Sequence, residues 1–344
     1  MSMESNQLFG HDTMNAPWGL ESRTKLVALA CHFFNAKNIA ANHSVINKEV
    51  PSGRNPEPLT VSDFHKCLEV NKTFPKAPNA FRVVQIVEQM SSTGLLVHAG
   101  HGNRSVAGLQ DHYLYFLTAS EARRDLFRLV PVLGPEYLYK LCASGLVHIT
   151  GTNGDGKTVA GTGLIVDSSH ILTCRHVVSD MIVDEKQVFQ GNEYIVNKAS
   201  VHVHPEVDVA VVRMNGPLLS PLKGALFKVP VVAQTVYTLG YPKLPGLRDA
   251  SVTMQQGAVT NASVTSLSGE KLFLYSAISR PGNSGGPVMS EDGYVVGLSI
   301  VDATGQYDPS DAFSPHYAGI PAQVVVGAVE DLGLGIQLPY LNLE

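Results

Sequence analysis

The sequence is short of several things, and each shortage closes off a class of protein. Cysteine is scarce: Cys31, Cys67, Cys142 and Cys174 are the four in 344 residues, unevenly spaced and with no C-x-x-C pair. Redox and metal-clip chemistry therefore find no sequence support, and reduced thiols are expected. The first twenty residues lack a basic segment followed by an apolar core and a small-residue cleavage site, so they do not read as a secretion leader. No apolar run approaches the ~20 residues that a membrane-crossing helix needs; Leu26–Ala30 is typical of the longest. A soluble cytoplasmic chain with no membrane partner is the expectation. Charge of neither sign dominates: the net charge of −5 divides into +2 over residues 1–130 and −7 over the rest. A dedicated nucleic-acid binder carries a strong basic excess on one face, so nucleic acid is disfavoured as a partner. No fixed-period repeat is evident.

What is present is ordinary globular material, 44% apolar and 16% charged, in a chain long enough for two compact units. The sequence predicts a flexible stretch over 1–18, a helix-rich domain over 19–134 and a β-rich domain over 135–344. In the first half Leu26, Val27, Leu29, Ala30, Phe33 and Phe34 form one apolar stripe. Phe64, Cys67 and Leu68 form a second behind a Thr60/Ser62 N-cap, and Phe81, Val83, Val84, Ile86, Val87 and Met90 a third that ends at Gly94. Two strand-like runs follow, LLVHA and HYLYFL. Three helices and then a hairpin resemble a winged helix. Thr118 with Glu121 reads as a capping box, and Pro135 opens another helix at its first turn. From Gly145 the texture changes to short β-branched runs separated by Gly, Pro, Asn and Asp, which read as an antiparallel barrel or sandwich.

The sharpest motif is Arg280-Pro281-Gly282-Asn283-Ser284-Gly285-Gly286-Pro287. Glycines around one serine let the backbone turn tightly and aim successive N–H groups at one point, as an oxyanion hole requires. A serine hydroxyl is nearly inert alone, so it needs an imidazole to take its proton and a carboxylate to orient that imidazole. His176, in HILTCRHVV, and Asp208, in VHVHPEVDVAVV, supply both, 32 residues apart, with Ser284 a further 76 along.

These blocks resemble the trypsin-like serine peptidases of the HtrA/Deg-like branch, in the order G-[ST]-G-hydrophobic…T-x-x-H-V-V, D-hydrophobic-A-hydrophobic and P-G-N-S-G-G. The resemblance covers roughly residues 145–336 and extends to Tyr237-Thr-Leu-Gly-Tyr-Pro242 and Tyr317-Ala-Gly-Ile-Pro321. It implies an all-β double barrel behind a helix-rich domain, hence an α+β multidomain chain. It also implies a triad of His176, Asp208 and Ser284, an oxyanion hole from the N–H groups of Gly282 and Ser284, and substrate contacts along Val295–Val301 with Ile278, Ser279, Leu298 and Ser299 at the specificity pocket. A protein or peptide substrate with a small or apolar P1 side chain follows, because no acidic residue falls at those positions, and no cofactor is called for. Trypsins grip a newly cleaved N-terminus with a carboxylate just before the serine, whereas Asn283 stands here. The branch commonly carries a PDZ module after the catalytic domain; none follows here, so regulation is assigned to residues 19–134.

Other readings compete for some of these residues. Residues 151–158, GTNGDGKT, match the phosphate-loop pattern, yet the following VAGTGLIV reads as a strand rather than the helix that such a loop must open. His202 and His204 with Asp208, and His98 with His101, are metal-ligand candidates read instead as strand or surface histidines, and Cys174 is read as a core residue. Arg82, Arg104, Arg123, Arg124 and Arg128 leave a DNA-binding role open for the front domain, behind protein docking or gating. The alternative to an enzyme is a catalytically silent peptidase fold whose winged helix recognises protein or DNA.

Overall fold

The computed structural model describes residues 18–49, 57–102, 108–244, 246, 248–300 and 316–341. The expected flexible N-terminus up to residue 17, and Arg104, lie outside the described residues. Two compact units divide at Phe116 and Leu117. Among the described residues no helix is long and apolar enough to cross a membrane.

The first unit is helix-rich. Helices Leu20–Phe33, Ile39–Val45, Val61–Val70 and Ala80–Ser92 are joined by a three-stranded antiparallel sheet of Leu59–Thr60, Val97–His101 and Asp111–Leu114, with Asp111–Leu114 in the middle. The caps follow local chemistry. Thr60 accepts from the Asp63 N–H at 3.1 Å while the Asp63 carboxylate accepts from the Thr60 N–H at 3.0 Å, so two otherwise orphaned amides are satisfied reciprocally. Gly94, at φ +79°, stands just past the helix that ends at Ser92, where a left-handed residue is needed. Val83, Val84, Val87 and Met90 of the third stripe are buried as its spacing predicts, whereas Phe81 is exposed in the first turn. The core is aromatic: Phe33, Phe34 and Phe64 pack with ring centroids 5.1–5.4 Å apart, and Tyr113 stands edge-on to Phe34.

The second unit begins earlier than the sequence suggests, because its opening helices pack on β structure far downstream. The capping box of Thr118 and Glu121 forms as expected, and Pro135 opens the helix Pro135–Ala143. Arg124 donates to the Asp292 carbonyl and lies over the Tyr294 ring, 4.1 Å from its centroid. The Tyr139 hydroxyl donates to the Val252 carbonyl at 3.1 Å. These contacts tie residues 119–143 to the β-rich unit, on the far side of the division from the front helices.

Two antiparallel sheets follow. The first has six strands in the order Val201–Val203, Ala210–Arg213, His170–Thr173, Thr158–Ile165, Leu146–Asn153, Met181–Val183. The second closes into a barrel of Thr235–Gly240, Thr253–Thr265, Lys271–Tyr275, Tyr317–Pro321, Val295–Ile300 and Pro287–Ser290. Its interior is filled by Val236, Val259, Phe273, Tyr275, Ala277, Val288 and Val296, none more than 1% exposed. One sheet is thus a barrel and the other remains open. The phosphate-loop lookalike is a hairpin turn: Leu146–Asn153 pairs with Thr158–Ile165 across it. The Asn153 side chain accepts from the Asp155 and Lys157 amides at 3.1 and 2.9 Å, so those N–H groups serve the turn and not an anion.

Trp18 is the single tryptophan and packs on Phe74, so its fluorescence reports the first unit alone. Phe64→Ala, at a side chain 1% exposed, should lower the stability of that unit by about 3–5 kcal/mol. Urea titration followed at Trp18 measures the shift, and an unchanged midpoint would contradict this description of the core.

Candidate active site

His176 lies in the short helix Arg175–Ser179, delivered by the strand His170–Thr173. Asp208 stands in a bend between Val201–Val203 and Ala210–Arg213. The His176 ring Nδ1 lies 2.7 Å from Asp208 Oδ2, and the His176 backbone N–H donates to Asp208 Oδ1 at 2.9 Å. Both carboxylate oxygens are engaged by one residue, which fixes the ring about its own backbone. The bend has its own support. His204 Nδ1 accepts from the Glu206 and Val207 amides at 3.2 and 2.9 Å, and Arg175 donates to the His204 and Pro205 carbonyls at 3.2 and 2.8 Å. His204 is therefore a turn-former. Two groups of His, Cys, Asp or Glu among the described residues are tight enough to suit a metal, His98/His101/Asp111 and Cys174/His176/Asp208, and neither includes His202 or His204.

Ser284 follows the barrel strands on a turn that only glycine permits. Gly282 has φ +101° and a Cβ there would collide with the Tyr241 carbonyl; Gly285 has φ +82° and a Cβ would collide with the Thr173 hydroxyl. The Pro281 carbonyl accepts from the Lys243 N–H at 2.9 Å. The chain has no cis peptide bond among the described residues, so the Gly282 N–H points in the direction opposite to the Pro281 carbonyl within that peptide plane, away from Lys243. His176, Gly282 and Ser284 line one cleft of about 840 Å³ together with Ile278, Ser279, Arg280, Asp180 and Tyr317.

Of the residues expected at the pocket, Ile278 and Ser279 are on the cleft wall. Leu298 and Ser299 are fully buried and not on it. Both sit in a strand hydrogen-bonded on each side within the closed barrel. The Ser299 hydroxyl is 2.9 Å from the Tyr275 hydroxyl and 2.8 Å from that of Ser279, so it acts behind the wall. Burial pushes the Tyr275 hydroxyl up to about 12, which keeps this triplet neutral. Val301, the last residue of the expected substrate strand, lies outside the described residues. Asn283 is buried and its backbone N–H donates to the Arg280 carbonyl at 2.9 Å.

Sequence reasoning missed Thr162, whose trace in the sequence is the G-T-G ahead of an apolar strand. Its hydroxyl donates to the Gly282 carbonyl at 2.7 Å and accepts from the Tyr241 N–H at 3.0 Å. Its N–H donates to the Ser284 carbonyl at 2.9 Å, and its carbonyl accepts from the Thr173 hydroxyl at 2.8 Å. One residue of the open sheet thereby holds the serine turn of the barrel.

Thr162→Val strips the hydroxyl from a site with no solvent exposure and leaves the Tyr241 N–H and Gly282 C=O without it, a loss of about 1–3 kcal/mol for each buried group. Chemical denaturation of the variant should show it. Cys174 is fully buried, and burial, followed by the Asp208 charge, pushes its thiol well above the usual range. In native protein at pH 8, Cys174 should resist a thiol reagent that labels it after unfolding; native labelling would refute its burial.

Residues 161–298, which contain His176, Asp208 and Ser284, match the family described as a trypsin-like peptidase domain. Protease Do-like 1, chloroplastic, of Arabidopsis thaliana is 28% identical over 182 residues, a match covering 50% of this chain and 39% of that protein; the chain spans about two fifths of its length. Among solved structures, the serine endoprotease of Yersinia pestis aligns with a TM-score of 0.41 at 19% identity, over 57% of this chain and 65% of the other. The active form of the Rv3671c protease of M. tuberculosis aligns with a TM-score of 0.44 at 21% identity, over 59% and 86%. Residues 161–298, behind the helix-rich front unit, thus match a trypsin-like peptidase domain, and a Do-like protease is among the chain's relatives.

Proposed function

We propose that the chain is a serine endopeptidase that cleaves peptide bonds through an acyl-enzyme intermediate. The observation that carries this reading is the doubly held Asp208–His176 pair opening on the same cleft as Ser284. With the Nδ1 proton donated to Asp208, the basic nitrogen of the ring is Nε2. That nitrogen takes the Ser284 hydroxyl proton as Oγ attacks the carbonyl carbon, and Asp208 stabilises the imidazolium that forms. The tetrahedral oxyanion is received by the N–H groups of Gly282 and Ser284. Collapse expels the amine, which leaves with the proton from Nε2. Water then repeats the sequence on the ester and regenerates the serine.

Ile278, Ser279 and Tyr317 on the cleft wall are uncharged, and Asp180 is the one acidic residue among the described residues that line the cleft; the uncharged wall supports a small or apolar P1 residue. For residues 1–116 the reading is protein docking or gating. The strand–helix–helix–hairpin order that follows the two opening helices supports a winged-helix kinship, but with ten Lys and Arg against nine Asp and Glu the net charge of residues 1–116 is only +1. Arg124, one of the candidate phosphate contacts, is spent on Tyr294 and the Asp292 carbonyl.

A fluorophosphonate probe should label the wild type and leave Ser284→Ala unlabelled; equal labelling of both removes the nucleophile assignment. Asp208→Asn should lower kcat on the order of 10⁴-fold by presenting the wrong tautomer. Cleavage of a peptide library with and without residues 1–116 separates the two front-unit roles. Gating predicts faster cleavage after truncation, whereas docking predicts unchanged peptide cleavage with slower cleavage of protein substrates. Salt-dependent DNA binding without any peptidase activity would favour the silent-module alternative.

A further inference from the structure

The first unit holds a second convergence of chemistry-bearing side chains, on the antiparallel ribbon of Val97–His101 and Asp111–Leu114. His98 and His101 are three residues apart, and on a regular strand an odd separation sends two side chains to opposite faces. Here the register slips between His98 and Gly100: His98 stands opposite Tyr113, and His101 opposite Asp111. The extra residue is Ala99, and Gly100 takes φ +139° beside it. Such a bulge restores the phase. It brings the two rings to one face, with centroids 4.5 Å apart.

On that face His101 Nδ1 lies 2.9 Å from Asp111 Oδ1, and His98 Nε2 lies 3.8 Å from Asp111 Oδ2. One ligand atom from each of the three residues lies within 4.8 Å of the other two. Tetrahedral zinc, with bonds of about 2.0–2.2 Å to imidazole and carboxylate, needs donors about 3.4 Å apart. The observed spacings bracket that value, so small ring rotations suffice. The groups around the cluster favour a cation. Tyr113 packs edge-on against His98 with centroids 5.3 Å apart. A Cβ built on Gly108 would lie 2.9 Å from Glu88 Oε1 and 3.9 Å from Asp111 Oδ2, so both carboxylates border that glycine.

We propose that His98, His101 and Asp111 form a binding site for a divalent transition metal of the zinc class. Two imidazoles and one carboxylate suit zinc, cobalt or nickel rather than calcium or magnesium, which take oxygen ligands. The His98 and His101 side chains are 34% and 74% exposed, so the remaining coordination position opens to water. The metal would pin the two strands across the bulge and stabilise the first unit by mass action.

The test uses the full chain, freed of metal with a chelator and titrated with Co²⁺ and then Zn²⁺. One equivalent of Co²⁺ should develop the visible absorption of a four-coordinate nitrogen–oxygen site, Zn²⁺ should displace it, and Zn²⁺ should raise the midpoint of the Trp18 fluorescence transition. In His98→Gln/His101→Gln the band and the midpoint shift should vanish, and Asp111→Asn should weaken Zn²⁺ binding at least 10-fold. The metal-free Trp18 transition of the double variant, at exposed positions, should match that of the wild type and so reports its folding. A band of unchanged strength in the double variant would assign the metal elsewhere, for example to the cluster of Cys174, His176 and Asp208, and would overturn the proposal. So would a wild-type spectrum showing only hydrated cobalt.

Discussion

The peptidase domain depends on the way one threonine of the open sheet binds a turn of the closed barrel. His176 and Asp208 belong to the open sheet and its loops, while Ser284 belongs to the barrel, so nothing within either sheet sets the distance between His176 and Ser284. Thr162 does so with its hydroxyl, its N–H and its carbonyl, meeting Gly282, Tyr241, Ser284 and Thr173 from a fully buried position. Buried polar groups are costly to leave unpaired, so this junction has one satisfied arrangement and resists sliding. The glycines at 282 and 285 belong to the same constraint. A side chain at either would strike the backbone or hydroxyl that closes the junction.

Electrostatics on the open-sheet side act by a similar economy of partners. Asp208 receives both the ring and the backbone N–H of His176, and the bend that carries it is held by His204 and Arg175. Arg175 is next to His176 in sequence, so His176 and the loop bearing Asp208 are coupled through adjacent residues. The Tyr275–Ser299–Ser279 hydroxyls give the cleft wall a neutral, hydrogen-bonded backing.

The front of the chain shows the same contrast between local and distant control. Caps at Thr60 and Thr118 and the stop at Gly94 appear where their residue types predict them, since each is settled within about four residues. The division between the units is not settled that way. Residues 119–143 have the helical pattern of the front half but bury themselves against Tyr294, Gly293 and Val252, more than a hundred positions later. Periodicity says that a face is apolar and is silent about what covers it.

The amino-acid sequence alone determined the order His176, Asp208, Ser284, the helix caps, the hairpin at 151–158 and the alternation of β-branched runs with turn residues, because backbone preference and side-chain chemistry act over a few residues. Only the tertiary structure decided that Thr162 holds the serine turn, that Leu298 and Ser299 are buried behind the cleft wall, and that His204 shapes a bend. It also decided that a one-residue bulge brings His98 and His101 to the same face. Each of these depends on which donor meets which acceptor, or on how a strand is registered against its neighbour. The Thr162 hydroxyl finds its carbonyl 120 residues away, and that meeting is set by the packing of two sheets.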